Sequence, residues 1–216
     1  MTREESRARN ALEKVSNKCR KQVAKNFGWK QRDYLNWKID SGYYFSLCHC
    51  VLEQVDLSVK PYFIDDLWWD IFEMPECKQA PKSLRGNGVF AVPDVHLKEY
   101  FVFDTDKIPV YTEDDVVARW ESTFNTIESD IAHFLSENPN PDAFCPTGRT
   151  DRIYELMMDI HSGNLDQVQE KIELYKTYLV SLYLGIFQLR ANVSGKQRFG
   201  LKPIRNEDKV WLGETC

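Results

Sequence analysis

The chain has 216 residues, of which 43% are hydrophobic and 28% charged, and its formal net charge is −5. This length and apolar content suffice for one domain with its own core, which excludes a chain disordered throughout. No apolar run reaches the roughly 18–20 residues that cross a bilayer, and we expect no secretion signal because the first residues are charged. Six cysteines without a tight spacing framework predict free thiols in a reducing, cytoplasmic setting.

The first predicted element is an amphipathic helix over residues 4–27, where apolar residues recur every three or four positions before Gly28 ends the helix. Residues 1–38 hold eleven Lys or Arg and four Asp or Glu, whereas the remaining residues hold seventeen and twenty-nine. Such a segment indicates either a nucleic-acid contact or a solvated helix face beside an acidic body. We favour the solvated face, because domains that bind nucleic acid are usually basic overall. We therefore do not expect nucleic acid as a partner.

A sheet is predicted next, since aromatic and β-branched residues dominate several short runs. The runs with strand character are residues 29–40, 43–54, 55–64, 89–97 and 98–105. The first two are separated by Asp40-Ser41-Gly42, which is a turn signal. We therefore expect an antiparallel meander of about five strands.

A short helix is predicted within the sheet region, over residues 66–74, with Asp65 as its N-cap and Pro75 as its stop. A helical wheel places one set of apolar residues on the core side: Leu67, Trp68, Ile71 and Phe72. The opposite side carries Asp66, Trp69, Asp70 and Glu73. We predict that this second, exposed set binds a protein partner, because a tryptophan among acids suits a cationic or peptide surface.

Three helices are predicted after the sheet. Thr112 and Asp115 form a capping box for the first, which runs to Leu135, and the second covers residues 151–161. The third begins at Asn164 and carries apolar residues spaced alternately by three and four up to Leu189, which predicts a packing seam. A central, buried position of the helix would explain this seam, and so would self-association of the protein through the helix.

This order of elements predicts an α+β fold: an N-terminal helix, an antiparallel sheet with a short inserted helix, then three C-terminal helices. We expect one domain over residues 1–216. Residues 1–109 would hold the first helix and the sheet, residues 110–191 the later helices, and residues 192–216 an irregular tail.

The string "FVFDTDKI", Phe101 to Ile108, is an apolar strand followed by Asp-x-Asp. It resembles the nucleophile motif of haloacid-dehalogenase-type phosphotransferases. Over these eight residues the resemblance implies that Asp104 attacks phosphorus and Asp106 handles the leaving-group proton, with magnesium between them. That fold also needs later parallel strands, whereas almost only helices are predicted after Asp106. A metal-dependent hydrolase or phosphotransferase using Asp104, Asp106 and His96 is therefore the alternative hypothesis.

Two other groups contain metal-ligand residue types. Asp94 and His96 share one face of a predicted strand, but no spacing pattern selects them, so we expect neither a metal site nor a cofactor. Cys48 and Cys50 flank His49 on another strand and lack the second pair that zinc sites use, which favours buried free thiols.

The sequence contains no complete catalytic constellation, so we predict a non-enzymatic cytoplasmic protein that regulates or neutralises a protein partner, of the immunity or antitoxin sort. The acidic charge beyond residue 38 suits capture of a basic partner. Self-association, and nucleic-acid binding through the N-terminal helix, remain as alternatives. No membrane partner is expected.

Overall fold

The computed structural model describes residues 3–51, 54–86, 91–104, 111–146 and 151–174. Its helices are α1 (Arg3–Asn26), α2 (Ile64–Ile71), α3 (Glu113–Glu137), α4 (Asp151–Ser162) and α5, of which residues 165–174 are described. Its strands are β1 (Lys30–Arg32), β2 (Leu35–Asp40), β3 (Tyr43–Val51), β4 (Gln54–Pro61) and β5 (Val95–Phe101). Short 3-10 turns occupy Pro75–Gln79, Lys82–Gly86 and Pro141–Ala143. The predicted α+β class is confirmed.

The sheet is a five-stranded antiparallel meander in the order β1-β2-β3-β4-β5. Ser41 and Gly42 have φ of 48° and 81°, the left-handed geometry of a two-residue hairpin turn, so the predicted turn is confirmed. Residues 29–40 form two strands rather than one, because Asp33 takes a φ of 52° and the chain reverses there. Of the two strands predicted over residues 89–105, the described residues form only β5, which begins after Pro93, a residue unable to donate to a ladder.

The two faces of the sheet carry different residues, since side chains alternate along each strand. The face bearing Tyr43 and Phe45 packs beneath α3, where the Phe134 ring meets both rings edge-on at centroid distances of 5.2 and 5.8 Å. The opposite face bears Tyr44 and Lys60, and residues 82–86 and 91–94 lie against it. We call these the helix face and the loop face.

Helices α1 and α3 pack against each other along an aromatic seam. The Trp120 side chain is 1% exposed and donates its indole N–H to the Ser16 hydroxyl at 3.0 Å. Phe124 stacks on Phe27 at 5.6 Å, next to the edge of Trp29. Large rings bury much apolar area and fix their neighbours' orientation. This seam therefore holds α1 on the domain.

The start of α3 is set by the capping box predicted from the sequence. The Thr112 hydroxyl accepts a hydrogen bond from the Asp115 backbone N–H at 3.2 Å, and the Asp115 carboxylate accepts one from the Thr112 backbone N–H at 2.9 Å. Both helix-end donors are thereby satisfied, so the predicted capping box is confirmed.

Helix α2 begins earlier and faces the core differently than predicted. It starts at Ile64, and its N-cap residue Phe63 makes no side-chain cap bond, so the prediction of Asp65 as the cap is wrong. Its buried residues are Ile64, Asp65, Trp68 and Trp69, whereas Ile71 is 44% exposed. The prediction that Trp69 is exposed and Ile71 is core is therefore wrong as well.

The last described helix, α5, carries the first residues of the predicted seam. Leu165 is 68% exposed and Ile172 36%, whereas Val168 is buried. The rest of the seam and the tail from residue 192 lie outside the described residues. Among the described helices, none combines the length and apolarity that a bilayer crossing requires.

We expect Ser16→Ala to lower the free energy of unfolding by about 1–3 kcal/mol, because the buried Trp120 N–H loses its acceptor. Urea unfolding followed by tryptophan fluorescence measures the change. Ser122→Ala, at an exposed position of α3, is the matched control and should be nearly neutral. Equal stabilities for the two variants would contradict the role of this hydrogen bond.

Candidate functional site

A buried charge cluster lies beneath α2 on the loop face of the sheet. It consists of Lys60 at the end of β4, Asp65 in α2, Arg85 in the second 3-10 turn, and Asp94 just before β5. Lys60 and Asp65 are 0% exposed, and Arg85 is 4% exposed. Two cations and two carboxylates thus neutralise one another in the interior, as buried charges must.

The Lys60 ammonium is the hub of this cluster. Its Nζ lies 3.0 Å from Asp65 Oδ1 and 2.9 Å from Asp94 Oδ1. It also donates to the backbone carbonyls of Arg85 and Val92. The three N–H groups of an ammonium are therefore surrounded by four oxygens from three segments of the chain. Lys60 thereby ties α2 and two stretches of the following loop to the sheet.

Arg85 fixes the position of Trp69. Its guanidinium donates to Asp66 at 2.6 Å and to the Tyr62 carbonyl at 2.9 Å. The guanidinium carbon lies 4.1 Å from the ring centroid of Tyr62 and 4.7 Å from that of Trp69, within the range of cation–π attraction. The indole thus contributes to the interior of the cluster rather than to an exposed binding surface.

Gly86 lets the second 3-10 turn approach the sheet closely. A Cβ at this position would lie 2.7 Å from Leu35 Cδ2 and 3.1 Å from the Tyr44 hydroxyl. The hydroxyl of Ser83 in the same turn accepts from Arg32 at 3.3 Å. The turn that supplies Arg85 is therefore seated directly on the sheet.

Burial shifts the titration of the Asp65 carboxyl. Removal from water raises its pKa to about 6, against the opposing attraction of the Lys60 ammonium, and the nearby Asp94 carboxylate adds to the rise. The Tyr154 hydroxyl, which donates to the Pro93 carbonyl at 3.0 Å, has its pKa raised in the same way by burial. The cluster therefore holds its carboxyl at the edge of the physiological range.

The candidate metal residues are placed in different surroundings. Asp94 binds Lys60 and accepts a hydrogen bond from the Ser46 hydroxyl at 2.5 Å, whereas His96 lies exposed in β5, opposite Ser58. Within the described ranges, no group of three or more His, Cys, Asp or Glu side chains is arranged to hold a metal ion. Asp94 therefore serves the charge cluster, and the structure does not bring it together with His96 as a ligand set.

The phosphotransferase candidates are placed only in part. Asp104 is exposed, and its backbone N–H donates to the Tyr111 hydroxyl at 3.0 Å. Asp106 lies outside the described residues. Cys48 is half-buried, and His49 lies in the core, 5.7 Å from the Trp120 ring.

The exposed side of α2 differs in one residue from the predicted binding surface. It carries Asp66, Asp70, Ile71 and Glu73, which we call the α2 face. Ile71 thus replaces Trp69 as the apolar member. Asp70 pairs with Lys78 at 2.6 Å, and Glu73 follows the C-cap residue Phe72 with a φ of 51°. This face remains acidic with an apolar side chain inside it.

A second surface of opposite charge runs along α1. Six exposed cations lie on one side of this helix, and we call them the basic ridge: Arg3, Arg7, Lys14, Lys18, Lys21 and Lys25. At 100° per residue they fall within an arc of about 60°. Neighbours along the ridge are spaced by three or four residues in four cases, and such like-charge pairs each destabilise a helix by about 0.2–0.5 kcal/mol. The ridge is therefore not explained by helix stability.

Sequence reasoning missed Lys60 and Arg85. The alternation of side chains along β4 places Lys60 on the loop face, pointing into the protein. A lysine at the end of a strand, however, ordinarily indicates a solvent-exposed position. Arg85 lies in a polar segment with Gly and Pro, a composition that is typical of an exposed loop. In the sequence, Asp65 and Asp66 lie between these two cations and Asp94 follows Arg85, and these acids are the signal that could have indicated buried pairs.

No protein-family model matches this chain, and comparison with curated proteins and with solved structures finds no match.

The raised pKa of Asp65 predicts a specific pH dependence of stability. An unfolded Asp has a pKa of about 3.9, so the folded state holds the proton more tightly between pH 4 and pH 6. The contribution of this group is therefore full below about pH 4 and is lost as the pH rises through about 6. Relative to Asp65→Asn, the wild-type free energy of unfolding should fall by about 3 kcal/mol between pH 4 and pH 7.

Urea unfolding of both proteins at unit pH intervals measures this difference. Asp70→Asn is the matched control, because its carboxylate is exposed on the α2 face. Parallel stability curves for the wild type and Asp65→Asn would contradict the assignment of the titration to the charge cluster.

Proposed function

We propose that this chain is a cytoplasmic binding protein that captures and neutralises a basic protein partner through the α2 face. The observation that carries the proposal is Ile71, 44% exposed between Asp70 and Glu73 on an otherwise acidic face. An apolar side chain ringed by charges is typical of an interface centre, where the apolar residue is desolvated and the charges set orientation.

The support beneath α2 favours such a role. Asp65 and Trp69 anchor the inner side of the helix to Lys60 and Arg85, so the outer side is held in one orientation before any partner arrives. A preorganised surface binds more tightly than a mobile one, because less conformational entropy is lost on association. Asp66 belongs to both sides, since it pairs with Arg85 and is still 37% exposed.

The charge distribution supports a basic partner. The part of the chain after residue 38 has twelve more acidic than basic residues, which speeds encounter with a cationic surface. The free thiols of Cys19 and Cys145 support a reducing compartment.

The test compares two double variants that exchange the same residue types. Asp70→Lys with Ile71→Ser alters the α2 face, and Asp40→Lys with Ile39→Ser alters an exposed strand end where Ile39 is 37% exposed. Proteins captured from cells of the source species by the wild type, but not by the first variant, are purified and their binding is measured by calorimetry. We expect the α2 variant to weaken binding at least about tenfold, as loss of an interface centre does.

The strand-end variant should retain the wild-type dissociation constant. Far-UV circular dichroism confirms that both variants are folded. An unchanged affinity in the α2 variant, or an equal loss in both variants, would exclude the α2 face as the binding surface.

A further inference from the structure

The basic ridge is the exposed side of a helix whose opposite side is buried in the domain. The buried residues of α1, Leu12, Ser16, Cys19, Arg20, Val23 and Ala24, centre about 180° away from the ridge around the helix axis. None of the acids of α1, which are Glu4, Glu5 and Glu13, falls within the arc of the ridge. Packing of α1 against α3 therefore turns six cations outward together.

The cations of the ridge differ from the lysines elsewhere in the described residues. Of the seven lysines elsewhere in those residues, Lys30 and Lys82 lie over the rings of Trp37 and Tyr62. The other five each form an ion pair with a carboxylate: Lys38, Lys60, Lys78, Lys98 and Lys171. On the ridge, among the described residues, only Lys18 has such a partner. That partner is Glu113 at 2.9 Å, with both side chains more than half exposed and therefore screened by water. A merely solvated helix face would interleave both signs of charge at these spacings.

The length and chemistry of the ridge favour a nucleic-acid duplex. From Arg3 to Lys25 the helix rises by about 33 Å, close to one turn of B-form DNA, and a duplex backbone presents dense, regularly spaced phosphates over that distance. The ridge has no aromatic side chain for base stacking, on which single-strand binding sites rely. It also has no exposed large apolar side chain that would enter a lipid surface.

We infer that the basic ridge of α1 binds the phosphate backbone of double-stranded nucleic acid without reading its sequence. Phosphates repel the acidic charge of the rest of the chain, and this repulsion favours approaches in which α1 meets the duplex. This activity is independent of the partner surface on α2.

The experiment measures binding of the full-length chain to a labelled mixed-sequence duplex of 24 base pairs by fluorescence anisotropy, between 50 and 300 mM NaCl. If all six cations neutralise phosphates, the logarithm of the binding constant should fall with the logarithm of salt concentration with a slope of about −5. The variant Lys14→Gln, Lys21→Gln, Lys25→Gln should reduce the steepness by about 3 and weaken binding at least tenfold at 50 mM salt.

The matched control is Lys78→Gln, Lys82→Gln, Lys98→Gln, which removes the same net charge from exposed positions elsewhere and should retain the wild-type slope. Single replacement Lys21→Gln should reduce the steepness by about one. Melting temperatures of the ridge variants should equal or exceed that of the wild type, because like-charge neighbours are removed.

Several results would overturn the inference. They are no binding of the wild type at 50 mM salt, an equal loss in the control, tighter binding to a single strand of the same length, and ridge-dependent binding only to phosphatidylserine vesicles or polyglutamate. The last of these results would assign the ridge to a lipid surface or to an acidic polypeptide. The α2-face variant should bind the duplex like the wild type, so this inference and the proposed function fail separately.

Discussion

The buried ammonium of Lys60 is the constraint on which the loop face of this protein depends. A charge removed from water must be enclosed by acceptors, and here the acceptors come from α2, from the Arg85 turn, and from the segment leading into β5. Each of these segments is irregular or short. Their joint attachment to one ammonium converts a loop-rich region into a fixed layer over the sheet. Breaking one contact leaves a buried charge uncompensated, so the segments are held cooperatively.

The orientation of α2 follows from that requirement. With Asp65 turned inward to Lys60, and Trp69 turned inward to Arg85, the helix has no freedom to present its tryptophan to solvent. Ile71, which a helical wheel assigns to the core, is carried outward by the same rotation. The exposed, acidic α2 face therefore contains Ile71 because the buried charge cluster sets the rotation of the helix. The proposed partner surface is in this sense a consequence of the charge cluster.

Cations form ion pairs with carboxylates more often in some parts of the described structure than in others. Over the sheet and the later helices, several cations are paired with carboxylates, and these pairs connect elements distant in sequence, such as Lys38 with Glu128 and Lys98 with Asp130. Along the basic ridge of α1, among the described residues, only Lys18 has a carboxylate partner, although the chain contains more acids than bases. The fold does not require this arrangement, because aromatic packing through Trp120 and Phe124 already secures α1. The basic ridge is therefore the feature of the described residues least explained by folding.

The class of fold, the helix over residues 4–27 and the start of α3 follow from local spacing and capping chemistry, which act over a few residues and can be recognised in the sequence. It also determined the Ser41-Gly42 turn, where both residues take positive φ. The side of α2 that is buried follows only from the tertiary structure, since two arcs of that helix carry large apolar side chains, and the contacts of Lys60 and Arg85 distinguish them. The pairing of Asp94 with Lys60 rather than with His96 also depends on the tertiary structure, because Asp94 and Lys60 come from separate segments that no local sequence pattern brings together.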